Sequence, residues 1–101
     1  MELISRFDAE GYPTEETLAC VAALDPTKND VEEIMDYLID LWHWGDNMIE
    51  RNAETGCLAM HTCGWSGNES IITALEKSFF WMIYWFRSER GGHYWFKVKR
   101  P

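Results

Sequence analysis

The stretch FFWMIYWF, Phe79 to Phe86, places eight apolar residues in a row, six of them aromatic. It is far shorter than the roughly 20 residues a membrane-spanning helix needs, so a core must take it up. Bulky aromatics and the β-branched Ile83 favour extended chain, and the run reads as a strand buried on both faces, although it could instead prolong a preceding helix. The residues beyond it support the strand. Gly91-Gly92 supplies the positive φ angles of a tight hairpin. After it, Tyr94, Phe96 and Val98 alternate with Trp95, Lys97 and Lys99, giving one core face and one wet face.

Upstream, "CLAMHTC" alternates in the same way, with Leu58, Met60 and Thr62 on one side and Cys57, Ala59, His61 and Cys63 on the other. "GWSGNE" is a turn, and "NESIITALEK" reads as a short helix. In "NDVEEIMDYLIDLWHW", Asp30 and Glu33 have capping-box spacing. Val31, Ile34, Met35, Leu38, Leu41 and Trp42 recur at helical intervals, and Gly45 is the expected stop. Thr14 caps an earlier helix with Glu15 and Glu16 in its first turn and Leu18, Val21 and Ala22 as its apolar stripe. "DPTKND" separates the two helices, residues 1–12 form an irregular lead or short extended arm, and "NMIERNAETG" reads as a polar connection. The expected architecture is α+β: two N-terminal helices, then strand, helix, strand, hairpin, strand. If the first two strands are neighbours joined through the helix they run parallel, and the sheet is a small mixed one of three strands.

A chain of 101 residues, 47% apolar with six tryptophans, has material for one core, so residues 1–101 form a single domain. The net charge of −8 is unevenly spread. Residues 1–56 hold 14 acids against three bases, net −11, and residues 57–101 hold three acids against six bases, net +3. The acidic half disfavours direct contact with nucleic-acid phosphates or anionic membranes and favours a basic partner, besides serving solubility. Cys20, Cys57 and Cys63 are odd in number, and "MELISRF" lacks the basic start and apolar run of a secretory signal, so free thiols in a cytoplasmic setting are expected.

"HTCGWSGNES" carries the residue types of several kinds of site. A nucleophile elbow fails, because two residues after Ser66 stands Asn68, not glycine. Ser66 or Asn68 is better read as the cap of the next helix. A metal set drawn from His61, Cys63 and Cys57, completed by His43 or His93, lacks any C-x2-C or H-x3-H pair, and free strand cysteines are more often small core residues. No metal, no cofactor and no catalytic residue is assigned. A turn of Gly64, Trp65, Ser66, Gly67 and Asn68 could cradle an anion at a helix N-terminus, with Arg87, Arg90, His93 and Trp95 as its rim. Trp95 and His93 beside Lys97, Lys99 and Arg100 have the composition of a base-stacking platform, opposed by the whole-chain charge. Tryptophan, tyrosine and arginine also suit a protein-binding patch. On the second helix, Glu32, Asp36 and Asp40 recur every four residues, with Glu33 beside them, as a negative ridge that no base in the segment neutralises.

The pair "GWSGNES" and "RGGHYWF", with an acidic helix ending in "LWHWGD", resembles a family of small bacteriophage and prophage proteins that carry a G-W-S-G-N-E turn and, about twenty residues later, an R-G-G hairpin. The similarity covers most of the chain from about Glu10, and members often have glycine where this chain has Cys63. The family brings no activity and no functional residue to carry over. It implies a setting in which small acidic proteins often bind and block a host protein, some by presenting carboxylates as DNA presents phosphates. The expectation is therefore a binding protein without catalysis in the bacterial cytoplasm, using Glu32, Glu33, Asp36 and Asp40 against a basic host protein. A small-ligand or phosphate-binding domain built on the Gly64–Asn68 turn, and a phage assembly protein acting as a homo-oligomer, are the alternatives.

Overall fold

In the computed structural model, which describes residues 2–43, 48–52 and 54–98, the elements run α1 (Glu15–Ala22), α2 (Val31–Leu41), β1 (Ile49–Asn52), β2 (Cys57–His61), α3 (Ser66–Leu75), α4 (Phe79–Tyr84), β3 (Trp85–Glu89) and β4 (His93–Lys97). The class is α+β. The sheet has four strands in the order β1-β2-β4-β3, and each neighbouring pair is antiparallel, so the mixed three-stranded sheet is corrected. β2 and β3 do point the same way, but β4 lies between them, and the hairpin strand takes the place the parallel neighbour was expected to hold. No helix among the described residues is long and apolar enough to cross a membrane.

β1 arises within the segment read as a polar connection. Ile49 is buried opposite Met60, and the turn back is held by Asn52, whose side chain accepts from the Glu54 and Thr55 amides at 3.0 and 3.1 Å. A single inward residue in four is too weak a period to announce a strand.

The apolar run departs most from expectation. Phe79–Tyr84 is a short helix and the strand begins only at Trp85. Ser78 decides this: its hydroxyl accepts from the Trp81 amide at 3.1 Å while donating to the Leu75 carbonyl at 2.6 Å, which caps α4 and anchors it to the end of α3. Phe80 is fully buried, Trp81 and Tyr84 are half-buried, and Phe79, Met82 and Ile83 point outwards. The run is not buried on both faces. The hairpin after β3 does form at Gly91-Gly92, with φ of 92° and 82°.

α1 starts at Thr14 as expected, its hydroxyl accepting from the Thr17 amide. Its buried residues are Thr17, Cys20 and Val21, while Leu18 and Ala22 are half-buried and line a groove of about 550 Å³ against α3. Thr17 and Cys20 turn inward because the lead docks on them: the Arg6 amide donates to Thr17 Oγ1 at 2.8 Å and the Ile4 amide to Cys20 Sγ at 3.3 Å. Tyr37 of α2 completes the clamp by donating to the Ile4 carbonyl at 2.5 Å, and burial holds its hydroxyl protonated well above the usual tyrosine range. In α2 the expected inward residues are buried except the half-buried Val31, and the Asp30 carboxylate accepts from the Glu32 amide. Gly45 lies outside the described residues.

Leu58, Met60 and Phe96 of the sheet share one core cluster with Ile34, Leu38 and Leu41 of α2, Ile71 and Leu75 of α3, and Phe80 of α4. The opposite face of the sheet carries the cross-strand row Glu50, Ala59, Trp95, Arg87 and stays partly open to solvent.

Candidate functional site

All four α2 carboxylates, Glu32, Glu33, Asp36 and Asp40, are exposed on the solvent side of the helix. At 3.6 residues per turn they fall within an arc of about 100°. The ridge is not wholly unopposed. Arg51 on β1 binds the Glu32 carboxylate and lies 3.7 Å from Asp36. This partner comes from the strand that the sequence did not disclose. Glu33 and Asp40 make no ion pair among the described residues, so the outer side of the ridge keeps its charge. Exposed pairs of the Arg51 type contribute about 0–1 kcal/mol, so the arginine orders the inner side without neutralising the face.

The glycine turn is closed by its own residues. Cys63 and Gly64 both have positive φ, 56° and 72°, and the Trp65 amide donates to the Thr62 carbonyl at 3.1 Å, as in a turn with two left-handed central residues. The Gly64 amide donates to Thr62 Oγ1 at 3.4 Å. Two amides that an anion nest would use therefore face Thr62. α3 is capped by Trp65 without a side-chain hydrogen bond, so neither Ser66 nor Asn68 is the cap. Ser66 is exposed, its hydroxyl 3.3 Å from the Tyr12 hydroxyl. Asn68 is fully buried and joins three segments of chain: Oδ1 accepts from the His43 amide at 3.1 Å, and Nδ2 donates to the His43 and Thr62 carbonyls at 3.4 Å.

The Trp65 ring stacks with His43, centroids 4.2 Å apart, and with Tyr12, 5.3 Å away. Gly67 sits under it, and a Cβ there would fall 2.1 Å from the ring. That close approach, not turn geometry, requires glycine at 67. Gly67→Ala is expected to displace the Trp65 indole and destabilise by about 1–3 kcal/mol, the usual cost of overpacking. A shifted Trp65 indole N–H resonance together with a lower denaturation midpoint would show it; an unmoved resonance would count against the stack.

The rim residues organise around the sheet instead of the turn. Arg87 binds Glu89 and lies over the Trp95 ring, 4.9 Å from its centroid. His93 Nδ1 is 2.8 Å from His61 Nδ1, an arrangement in which one ring donates and the other keeps a lone pair, and His61 Nε2 is 3.7 Å from Glu50. Arg90 is exposed in the hairpin turn. Glu50 and His61 belong to this face, and only the missed pairing of β1 with β2 places them together. Among the described residues no group of three or more His, Cys, Asp or Glu side chains could hold a metal ion. The Cys57 thiol on the same face is raised by burial, partly offset by Lys97, which disfavours a nucleophilic thiolate.

The geometry thus defines a small α+β domain with one charged helix face, one half-open sheet face and a turn filled by its own tryptophan. No protein-family model matches the chain, and no characterised protein or solved structure shows significant similarity to it.

Proposed function

We propose that the chain is a non-catalytic binding protein whose α2 carboxylates engage a basic surface on a partner protein. The reading rests on one observation: four solvent-facing carboxylates share one arc of α2, and Arg51 reaches only two of them. Charge of one sign on a rigid helix steers association and confers specificity. The resemblance to small phage proteins gives the proposal its setting, a bacterial host protein blocked by a surface that presents carboxylates where DNA presents phosphates. The ligand-turn reading loses support, since Trp65 occupies the turn and Asn68 is turned into the core.

Glu33 and Asp40 are the residues to reverse, because changing Glu32 or Asp36 would also set a new positive charge against Arg51. The Glu33→Lys, Asp40→Lys variant should keep the native melting temperature within a few degrees. It should also retain at least tenfold less of any protein that the native chain captures from nuclease-treated bacterial lysate, and raised salt should weaken the native capture in parallel. Equal capture by both chains would exclude the α2 face.

A further inference from the structure

Six large hydrophobic side chains stand exposed among the described residues, and five lie in one stretch: Phe79 at 55%, Met82 at 74%, Ile83 at 43%, Trp85 at 41% and Phe86 at 50%. Phe79, Met82 and Ile83 have the spacing of one helix face, opposite the side of α4 that packs on Phe96 and Tyr94. Trp85 and Phe86 carry the apolar surface onto β3, an edge strand exposed along its whole length. Its free side presents unpaired backbone groups. The other edge, β1, is guarded differently, with charged Glu50 and Arg51 and its one apolar side chain, Ile49, buried.

We propose that β3 is a self-association edge, on which two copies of this chain pair antiparallel about a twofold axis at Ser88 and continue one protomer's sheet into the other's. The charges select this occupant. Arg87 and Glu89 sit on the same face of β3, facing Trp95 and His93 of β4. Within one chain Arg87 already binds Glu89; with Ser88 opposite Ser88 of the partner subunit, Arg87 also falls opposite the partner's Glu89, and the twofold axis joins the two in-strand pairs into a ring of four alternating charges. Sliding by two positions sets Arg87 against the partner's Arg87, or Glu89 against the partner's Glu89, and sliding by one turns the partner's helices to the other side of the sheet. A strand that is complementary to itself in a single register suits a twofold interface.

The bulge between Trp85 and Arg87 confines the ladder to the residues around Ser88, so the apolar surface of Trp85 and Phe86 beside it must add to the attraction of the charges. Taking a large apolar or aromatic side chain as roughly 200 Å², the five expose on the order of 500 Å². Of this only Trp85 and Phe86 lie on β3 itself, while Phe79, Met82 and Ile83 face away from the sheet, so the paired edge buries less than the roughly 800 Å² per partner of a standard interface and the dimer is expected to be a weak one.

Sedimentation of the full chain at low ionic strength tests the proposal. The native protein should sediment at twice the 11.9 kDa chain mass. Arg87→Glu and Glu89→Arg should each raise the dissociation constant at least tenfold, because each places like charges opposite one another. An equimolar mixture of the two variants should recover the dimer as a heterodimer with both pairs attractive. Met82→Glu, exposed on the α4 face turned away from the sheet, is the control and should leave the dimer and the register test unchanged. A native monomer at millimolar concentration overturns the proposal, and more so if the monomer floats with anionic lipid vesicles, which would make the patch a lipid-facing surface. A dimer indifferent to both charge changes, or variants that fail to recover on mixing, overturns it equally.

Discussion

Phe80→Ala is expected to lower the unfolding free energy by about 3–5 kcal/mol, a large share of the roughly 5–15 kcal/mol that holds such a domain together. Phe80 has no exposed surface, and its ring lies 5.2 Å from that of Tyr84 and 5.5 Å from that of Phe96. Its backbone amide donates to the Leu24 carbonyl at 3.3 Å, a bond that alanine would keep, so the loss is that of the ring's packing alone. A helix of six residues has no stability of its own, and a cavity under it would not be repaired by collapse of a rigid neighbour. Met82→Ala supplies the contrast. In a strand, positions 80 and 82 share a face and the two substitutions would cost alike. In α4 they oppose each other, and Met82→Ala should stay within about 0.5 kcal/mol of the native chain. Urea denaturation of the two variants compares them directly, and similar midpoints would exclude the helix.

The same pair of residues shows why part of the fold was hidden. The α2 period was readable because one face is buried and the other charged, the β2 alternation because Leu58, Met60 and Thr62 mark one inward face, and the hairpin because its turn needs the positive φ that Gly91-Gly92 supplies. α4 has no polar face. With apolar residues on both sides, helix and strand leave the same trace, and strand propensity points the wrong way; the deciding contacts, Ser78 with Leu75 and Trp81, are local, each three residues away, and a serine just before the run is the N-cap signal that could have found them. β1 failed for the opposite reason, having too few apolar residues to mark a face. The acidic ridge was readable residue by residue, since exposed carboxylates need no partner to be recognised. Arg51 was not, because its position beside Glu32 depends on the β1–β2 pairing. Trp65 reads in the sequence as a ligand residue, and only the folded chain stacks Tyr12 from the lead and His43 from beyond the end of α2 against it.

Asn68→Ala should cost about 3 kcal/mol, a drop of roughly 15 °C in melting temperature for a domain of this size. The amide satisfies the His43 N–H and both the His43 and Thr62 carbonyls from a position with no exposed surface. Alanine removes all three hydrogen bonds; the Thr62 carbonyl keeps the Trp65 amide as a donor, so the cost falls on the His43 amide and carbonyl, which lose the Asn68 side chain, and on the cavity left at a fully buried site. The effect should reach the Trp65 stack, because His43 is both the residue Asn68 holds and the ring on which Trp65 lies. Ser66→Ala separates this role from capping. Were either residue the cap of α3, its loss would cost about 1 kcal/mol. With Trp65 at the cap position and the Ser66 hydroxyl exposed, Ser66→Ala should be nearly neutral while Asn68→Ala is severe. Thermal denaturation of the two variants, read beside the Trp65 indole resonance, decides it: equal small losses would return Asn68 to the helix end, and a large loss at 68 alone makes it the bolt between α2, β2 and α3.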